Sequence, residues 1–434
     1  MIDFVEPVAA QTTRRSSLLR TLFPGFLMSL ALMVGCSDGS DHKPGATTPP
    51  EQVVPAALTS LAEDISEANH GRAAILHVST ASGNVWDVAA GLANVETGEE
   101  AEFGDQVEIG SASKVFLAVT VLRLVEQGLL DLDDPVQQWI DGEQLDALTG
   151  GNGAQVRLRH LLNHATGMGD YLNFTTDNGV MEFYGISGER AYAPEEHIQQ
   201  AIEFTRNPVD TAPEYAFPLF TLQDANGQSY SDYDSIPFST YSNTGYVMLG
   251  LIVQAVTGER YEDIIEQEVL DPLGLEDTGF GTDGLRADLT GYAVGLEFSG
   301  EQPVVMSPTL SWSAGQMVST TTDLGRFLSG AISGETFDKP ETLELWQQQY
   351  FKNLDGDIPY GLGIMKWEFG GIGTVFGHNG QVFGAVALMA YDVTTGNIYT
   401  AAVNNSQYVS VDGDTSPSIW ELMLKMHQIA VDNP

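Results

Sequence analysis

The sequence predicts an α+β fold: one antiparallel sheet assembled from both ends of the chain and flanked by terminal helices, with a helical region of about residues 115–300 inserted. Three observations carry this prediction. A helix and a hairpin come first, helices and long polar loops fill the middle, and a run of strands closed by a helix ends the chain. The hydrophobic fraction of 43% over 434 residues supplies a core, and no internal repeat interrupts it.

Each element has its own warrant. Leu58, Leu61 and Ile65 recur at helical spacing between Ala56 and His70. Ala73 to Thr80 and Asn84 to Gly91 read as paired strands around the Ala81-Ser82-Gly83 turn. Ser111 to Gln127 is dominated by Val, Leu, Phe and Ala, which predicts a buried helix stopped by Gly128. Tyr246 to Val256 reads as a second apolar helix. Gly169 to Ser239 is long, polar and aromatic-rich, the character of a functional lid or an insertion. Gly361 to Phe369, Thr374 to Phe383, Ala385 to Tyr391 and Asn397 to Asn404 alternate with turns rich in Gly, Asp or Thr, as antiparallel strands do. Ile419, Trp420, Leu422, Met423, Met426 and Ile429 form the apolar stripe of a closing helix.

Charge excludes one class of function. The chain carries 18 Lys and Arg against 59 Asp and Glu, a net charge of -41, and the basic residues are scattered. Nucleic-acid binding needs clustered cations, so it is not expected. A single cysteine, Cys36, excludes an internal disulfide framework and a multi-cysteine zinc site. That cysteine has a context of its own. Arg14, Arg15 and Arg20 precede an apolar run from Leu22 to Gly35, the layout of an export signal over residues 1–36. The run ends Met33-Val34-Gly35-Cys36, which resembles a lipobox, with Cys36 as the lipidated residue. Residues 37–55 read as a flexible tether, so the folded body is expected over 56–434, exported and held to a membrane, periplasmic or at the cell surface, by a lipid anchor.

Three short patterns carry chemistry. Ser111 and Lys114 are three residues apart, which on a helix puts the amine within reach of the hydroxyl. A lysine serves as a base when desolvation lowers its pKa, and a serine at a helix start meets N–H groups suited to a developing oxyanion. The spacing alone is unspecific, since Ser40 and Lys43 repeat it in the tether. Tyr241-Ser242-Asn243 precedes the second apolar helix. Tyr241 is a candidate general base for Ser111 and general acid for a leaving group, and Asn243 offers an amide to fix Lys114 or a substrate carbonyl; the bland reading is a helix-capping turn. The third pattern is Gly377-His378-Asn379-Gly380. There a strand edge lines a cleft, Gly380 permits close backbone approach, and the N–H of Gln381 completes an oxyanion hole with that of Ser111; a histidine in a glycine turn is the bland alternative.

In this order the patterns resemble the penicillin-recognising serine hydrolases: class C β-lactamases, serine D-alanyl-D-alanine carboxypeptidases and related esterases. Leu158 to Gly167, Ala314-Gly315 with Ser319 and Asp323-Leu324, and Tyr360-Gly361-Leu362-Gly363 are similar to the same family. The resemblance covers about Ala56 to the end. It implies a β-lactamase/transpeptidase-like fold with the site at the junction of sheet and helical region, no cofactor, and an acyl-enzyme formed on Ser111 with Lys114 and Tyr241 handling its proton. His378 stands where the β-lactamases of this group carry Lys. That departure implies a D-alanyl-D-alanine carboxypeptidase-like peptidase acting on a peptide or other small molecule, with a carboxylesterase, a β-lactamase or a non-turnover penicillin sensor as the alternatives.

Competing motifs are thin. His160 and His164 have metal-site spacing, but Leu161 stands where a metalloprotease needs its Glu, so no metal is expected and the histidines read as core or loop anchors. Asp224 to Asp234 lacks the register of a calcium loop, and no G-x-S-x-G elbow occurs.

Overall fold

The computed structural model describes residues 53–172, 190–206, 238–239, 241–285, 287–291, 307–348, 351–353, 359–405 and 419–434. Cys36 with the expected export signal, the expected tether up to residue 52, the Asp224 to Asp234 stretch and most of the 169–239 segment lie outside the described residues. Residues from Glu51 to the end form one compact unit.

The chain opens with helix α1 (Ala56–Ala68) and the hairpin β1 (Ala74–Ser79) and β2 (Val85–Ala90). Then come α2 (Ser113–Glu126), α3 (Leu158–Leu162), α4 (Pro194–Arg206) and α5 (Asn243–Thr257). Strand β3 (Met317–Ser319) leads into α6 (Thr321–Ser333). Strands β4 (Pro359–Tyr360), β5 (Met365–Phe369), β6 (Gly373–Gln381), β7 (Val386–Asp392) and β8 (Ile398–Val403) follow, and α7 (Trp420–Asp432) ends the chain.

The main sheet runs in the order β2-β1-β8-β7-β6-β5-β4, all neighbours antiparallel, and the short strands Phe351–Asn353 and Phe238–Ser239 extend it beyond β4. Ala74 pairs with Val403, which joins the two ends of the chain in the interior of the sheet. Both faces are covered. Ala74, Leu76, Val78, Leu388, Ala390, Tyr399 and Ala401 belong to a core shared with Leu58, Ile65, Trp420 and Met423 of the terminal helices. The alternate residues, among them Ile75, Ala387, Met389 and Ala402, point to the other core, shared with Phe116 of α2 and Phe327 of α6. The period-two side-chain alternation of a strand therefore splits one sheet between two cores.

Three elements differ from the sequence reading. Ser111 lies in a 3-10 turn, Gly110–Ala112, and the α-helix begins at Ser113. The strand expected over 361–369 is broken, because Gly361 to Ile364 form a tight turn in which Gly361 N–H donates to the Ile364 carbonyl at 2.8 Å. The segment read as loop contains α4, whose Ile198, Ala201 and Ile202 are buried at helical spacing. Its many polar residues hide that stripe from a composition-based reading.

Candidate active site

The site forms where the start of α2, the start of α5, the turn before β3 and the end of β6 converge. Gly110 takes a left-handed φ of +51, which lets the chain swing from the strand at Val107–Glu108 into the 3-10 turn. The turn is braced from below: Ser113 Oγ donates to the Gly110 carbonyl at 2.7 Å and accepts from Met317 N at 3.2 Å. Ile109 N–H donates to the Met317 carbonyl at 3.0 Å. Ser111 is left partly exposed on this rigid base.

Lys114 is fully buried, one helical turn on. Its Nζ lies 3.2 Å from Ser111 Oγ, 2.7 Å from Asn243 Oδ1 and 2.7 Å from the Ala314 carbonyl. Burial lowers its pKa to about 7, an effect larger than the opposing pull of the Asp170 carboxylate. An amine so placed is half deprotonated near neutral pH.

Asn243 is the first residue of α5, after Ser242, whose Oγ accepts from Gly245 N at 3.4 Å as the N-cap. The capping role and the functional role of this tripeptide thus coexist. Tyr241 places its ring 4.9 Å from Lys114 Nζ. Its hydroxyl is buried and makes no hydrogen bond of normal geometry. Burial raises the phenol well above its usual range, and Ser111 is the neighbour that pulls it back. His164 packs 4.3 Å from the Tyr241 ring and accepts from Ser242 N–H at 3.1 Å through Nδ1, so it holds the loop that carries Tyr241. It has left the helical face of His160, because α3 ends at Leu162. The pair is therefore spatially split, and the described residues contain no group of three or more metal-ligating side chains.

On the sheet side, a Cβ added to Gly380 would lie 1.7 Å from the Ile109 carbonyl oxygen and 2.9 Å from Ser111 N. A Cβ on Gly110 would lie 2.8 Å from Gln381 N. Only glycines allow this approach, and it brings the backbones of Ser111 and Gln381 side by side. His378 is buried two residues before Gly380 on the same strand. Its Nε2 accepts from the Tyr360 hydroxyl at 2.9 Å and its Nδ1 donates to the Asn379 carbonyl. Burial lowers its pKa to about 3, so it stays neutral.

The residues singled out in the sequence thus converge: Ser111, Lys114, Tyr241, Asn243, His378, Gly380 and Gln381. One member was missed. Asp170 accepts from both the backbone N (3.0 Å) and Nδ2 (2.8 Å) of Asn243. The only sequence signal for it was its place just after the Leu158 to Gly167 stretch.

Fold and site together define a class: an antiparallel sheet with terminal helices on one face, a helical region on the other, and a serine-lysine-tyrosine cluster at their junction. The chain belongs to the Beta-lactamase family, whose profile matches residues 58–422, and so to the superfamily of β-lactamase and penicillin-binding serine hydrolases. It is 23% identical over 287 residues to Penicillin-binding protein 4* of Bacillus subtilis, 63% of this chain and 55% of that protein. It is 28% identical over 221 residues to Esterase EstB of Burkholderia gladioli, 50% of this chain and 48% of that protein. The chain thus spans about half the length of the curated relatives it matches. Among solved structures, the D-amino acid amidase of Ochrobactrum anthropi SV3 superposes with a TM-score of 0.67 at 21% identity, over 87% of this chain and 98% of that one. That likeness establishes the α+β fold.

Proposed function

We propose that this chain is a serine hydrolase that works through an acyl-enzyme on Ser111 and accepts esters or amides whose leaving group carries no carboxylate. The carrying observation is the Lys114 amine, pKa about 7, set 3.2 Å from Ser111 Oγ. In the acylation step Ser111 Oγ forms a bond to the substrate carbonyl carbon while its proton passes to Lys114 Nζ. The backbones of Ser111 and Gln381, which lie side by side, form the candidate oxyanion hole. Tyr241, kept protonated by burial, relays a proton to the leaving group as the carbonyl re-forms and the bond to it breaks. Water then repeats the sequence on the ester, with the proton returned to Ser111.

His378 supports this leaving group. A peptide ending in a carboxylate calls for a cation, whereas His378 is neutral with both ring nitrogens bonded internally. The net charge of -41 opposes anionic ligands in the same direction. This moves the weight from the carboxypeptidase expected of the sequence to the esterase or amidase.

The test is intact mass after exposure to a fluorophosphonate, in wild type and Ser111→Ala, followed by turnover of p-nitrophenyl esters and of a D-Ala-D-Ala peptide. Labelling confined to the wild type with ester turnover is the expected result. No labelling overturns the mechanism, preferred peptide turnover restores the carboxypeptidase, and a stable adduct without turnover identifies a sensor. The lipid anchor is a separate proposal from the sequence: a Cys36→Ala protein that remains membrane-bound sinks it.

A further inference from the structure

Asp170 meets the catalytic cluster through Asn243, and its bonding is directional. Its Oδ2 accepts from Asn243 N at 3.0 Å and Asn243 Nδ2 at 2.8 Å, and its Oδ1 accepts from Leu172 N at 2.8 Å. A side-chain amide has one donor end and one acceptor end. Turning the Asn243 amide over would set oxygen against the Asp170 carboxylate and nitrogen against Lys114. The carboxylate therefore fixes which end faces the lysine.

The consequence falls on Lys114. Asn243 Oδ1 and the Ala314 carbonyl, both 2.7 Å from Nζ, can only accept. A neutral amine has two N–H bonds and one lone pair. When both N–H bonds are taken by these oxygens, the lone pair is left for the third neighbour, Ser111 Oγ at 3.2 Å. We propose that Asp170 is a positioning residue: by locking the Asn243 amide it turns the lone pair of Lys114 toward the Ser111 hydroxyl. The proposal rests on the serine-hydrolase reading and deepens it.

Asp170 exerts a second, separable effect. The groups facing Lys114 are Asp170, the Tyr241 and Tyr246 rings at 4.9 and 5.5 Å, and the neutral histidines His164 and His378. Among them Asp170 is the anionic group that favours the ammonium. Removing its charge stabilises the neutral amine, so activity persists to lower pH.

The experiment is the pH dependence of Ser111 acylation by p-nitrophenyl acetate from about pH 5 to about 9, in wild type, Asp170→Ala, Asp170→Asn and Ser111→Ala. Asp170→Ala frees the Asn243 amide, and the plateau rate is expected to fall roughly 100-fold, the scale of a small misplacement of a reacting group. Asp170→Asn keeps an oxygen toward Asn243 by setting its amide nitrogen against Leu172 N–H, so it is expected to restore the plateau only in part, to within about 10-fold of wild type, while its acid limb stays about one pH unit lower. An acid limb unmoved in Asp170→Asn shows that no carboxylate charge stands beside Lys114 to lock the Asn243 amide, and it overturns the proposal even if Asp170→Ala fails to fold. A plateau that Asp170→Asn does not restore overturns it as well, because a merely structural acidic residue behaves that way. Acylation retained by Ser111→Ala refutes the underlying reading instead.

Discussion

At the scale of single residues, the site is governed by where burial forces a charge to be given up. Lys114 and His378 are both basic groups pushed toward neutrality, to about 7 and about 3. Only the first titrates in the working range. As pH falls through 7 the Lys114 amine binds a proton and loses its lone pair, so acylation is predicted to fall about tenfold per pH unit below that point, and a kcat/KM profile should show one acid limb near pH 7 and none from His378. The same shift has a stability sign. Lys114 binds its proton less tightly in the folded chain than in the unfolded one, so its contribution to stability grows from about pH 7 upward and is least favourable in acid. Gly380 gives a steric prediction: Gly380→Ala drives a methyl group into the Ile109 carbonyl and Ser111 N, costing about 1–3 kcal/mol and slowing acylation more than a surface Gly→Ala does. Thermal melting with fluorophosphonate labelling checks both halves. Of this chemistry, the Ser111 to Lys114 spacing was legible because a helix turns local spacing into contact. Asp170 was illegible because it meets Asn243 across 73 residues, a tertiary contact that no local pattern encodes. The protonation state of His378 was equally hidden, being set by burial rather than by the residue type.

At the scale of elements, the terminal helix α7 closes one core. Trp420 packs against Trp367 of β5 with ring centroids 3.5 Å apart. Behind it, His427 of the same helix lies 3.1 Å from the fully buried Asp392 at the end of β7 and 3.2 Å from the Tyr399 hydroxyl of β8. One apolar and one polar clamp therefore fix the helix to three different strands. Trp420→Ala is predicted to cost about 3–5 kcal/mol, read as a lowered urea midpoint, because it leaves a large cavity under the sheet. His427→Ala should also destabilise, since it strips a partner from a buried carboxylate. Strand existence was readable from the β-rich runs. The break at Gly361 to Ile364 was not read as one, although Gly363 takes a left-handed φ of +87 there and Gly361 packs against the carbonyls of Trp346 and Gln348.

At the scale of the whole molecule, the net charge of -41 is a self-repulsion that every folded copy carries. Raising sodium chloride from ~0.01 M to ~1 M shortens the screening length from about 30 Å to about 3 Å, so Tm is predicted to climb across that range. A Tm that falls with salt would show instead that surface ion pairs outweigh the repulsion. The α+β class and the inserted helical region were legible at this scale because the order of elements along the chain sets the layers. The pairing of β1 with β8 also has a kinetic consequence. Ala74 and Val403 are about 330 residues apart, so a ribosome adding ~5–20 residues per second leaves β1 without its partner for roughly 15–65 s. During that interval the β1 edge of the N-terminal hairpin is open and has no sheet to enter. Completion of the sheet must wait for the end of synthesis, and a nascent chain arrested before Val386 exposes a strand edge that chaperones have to cover.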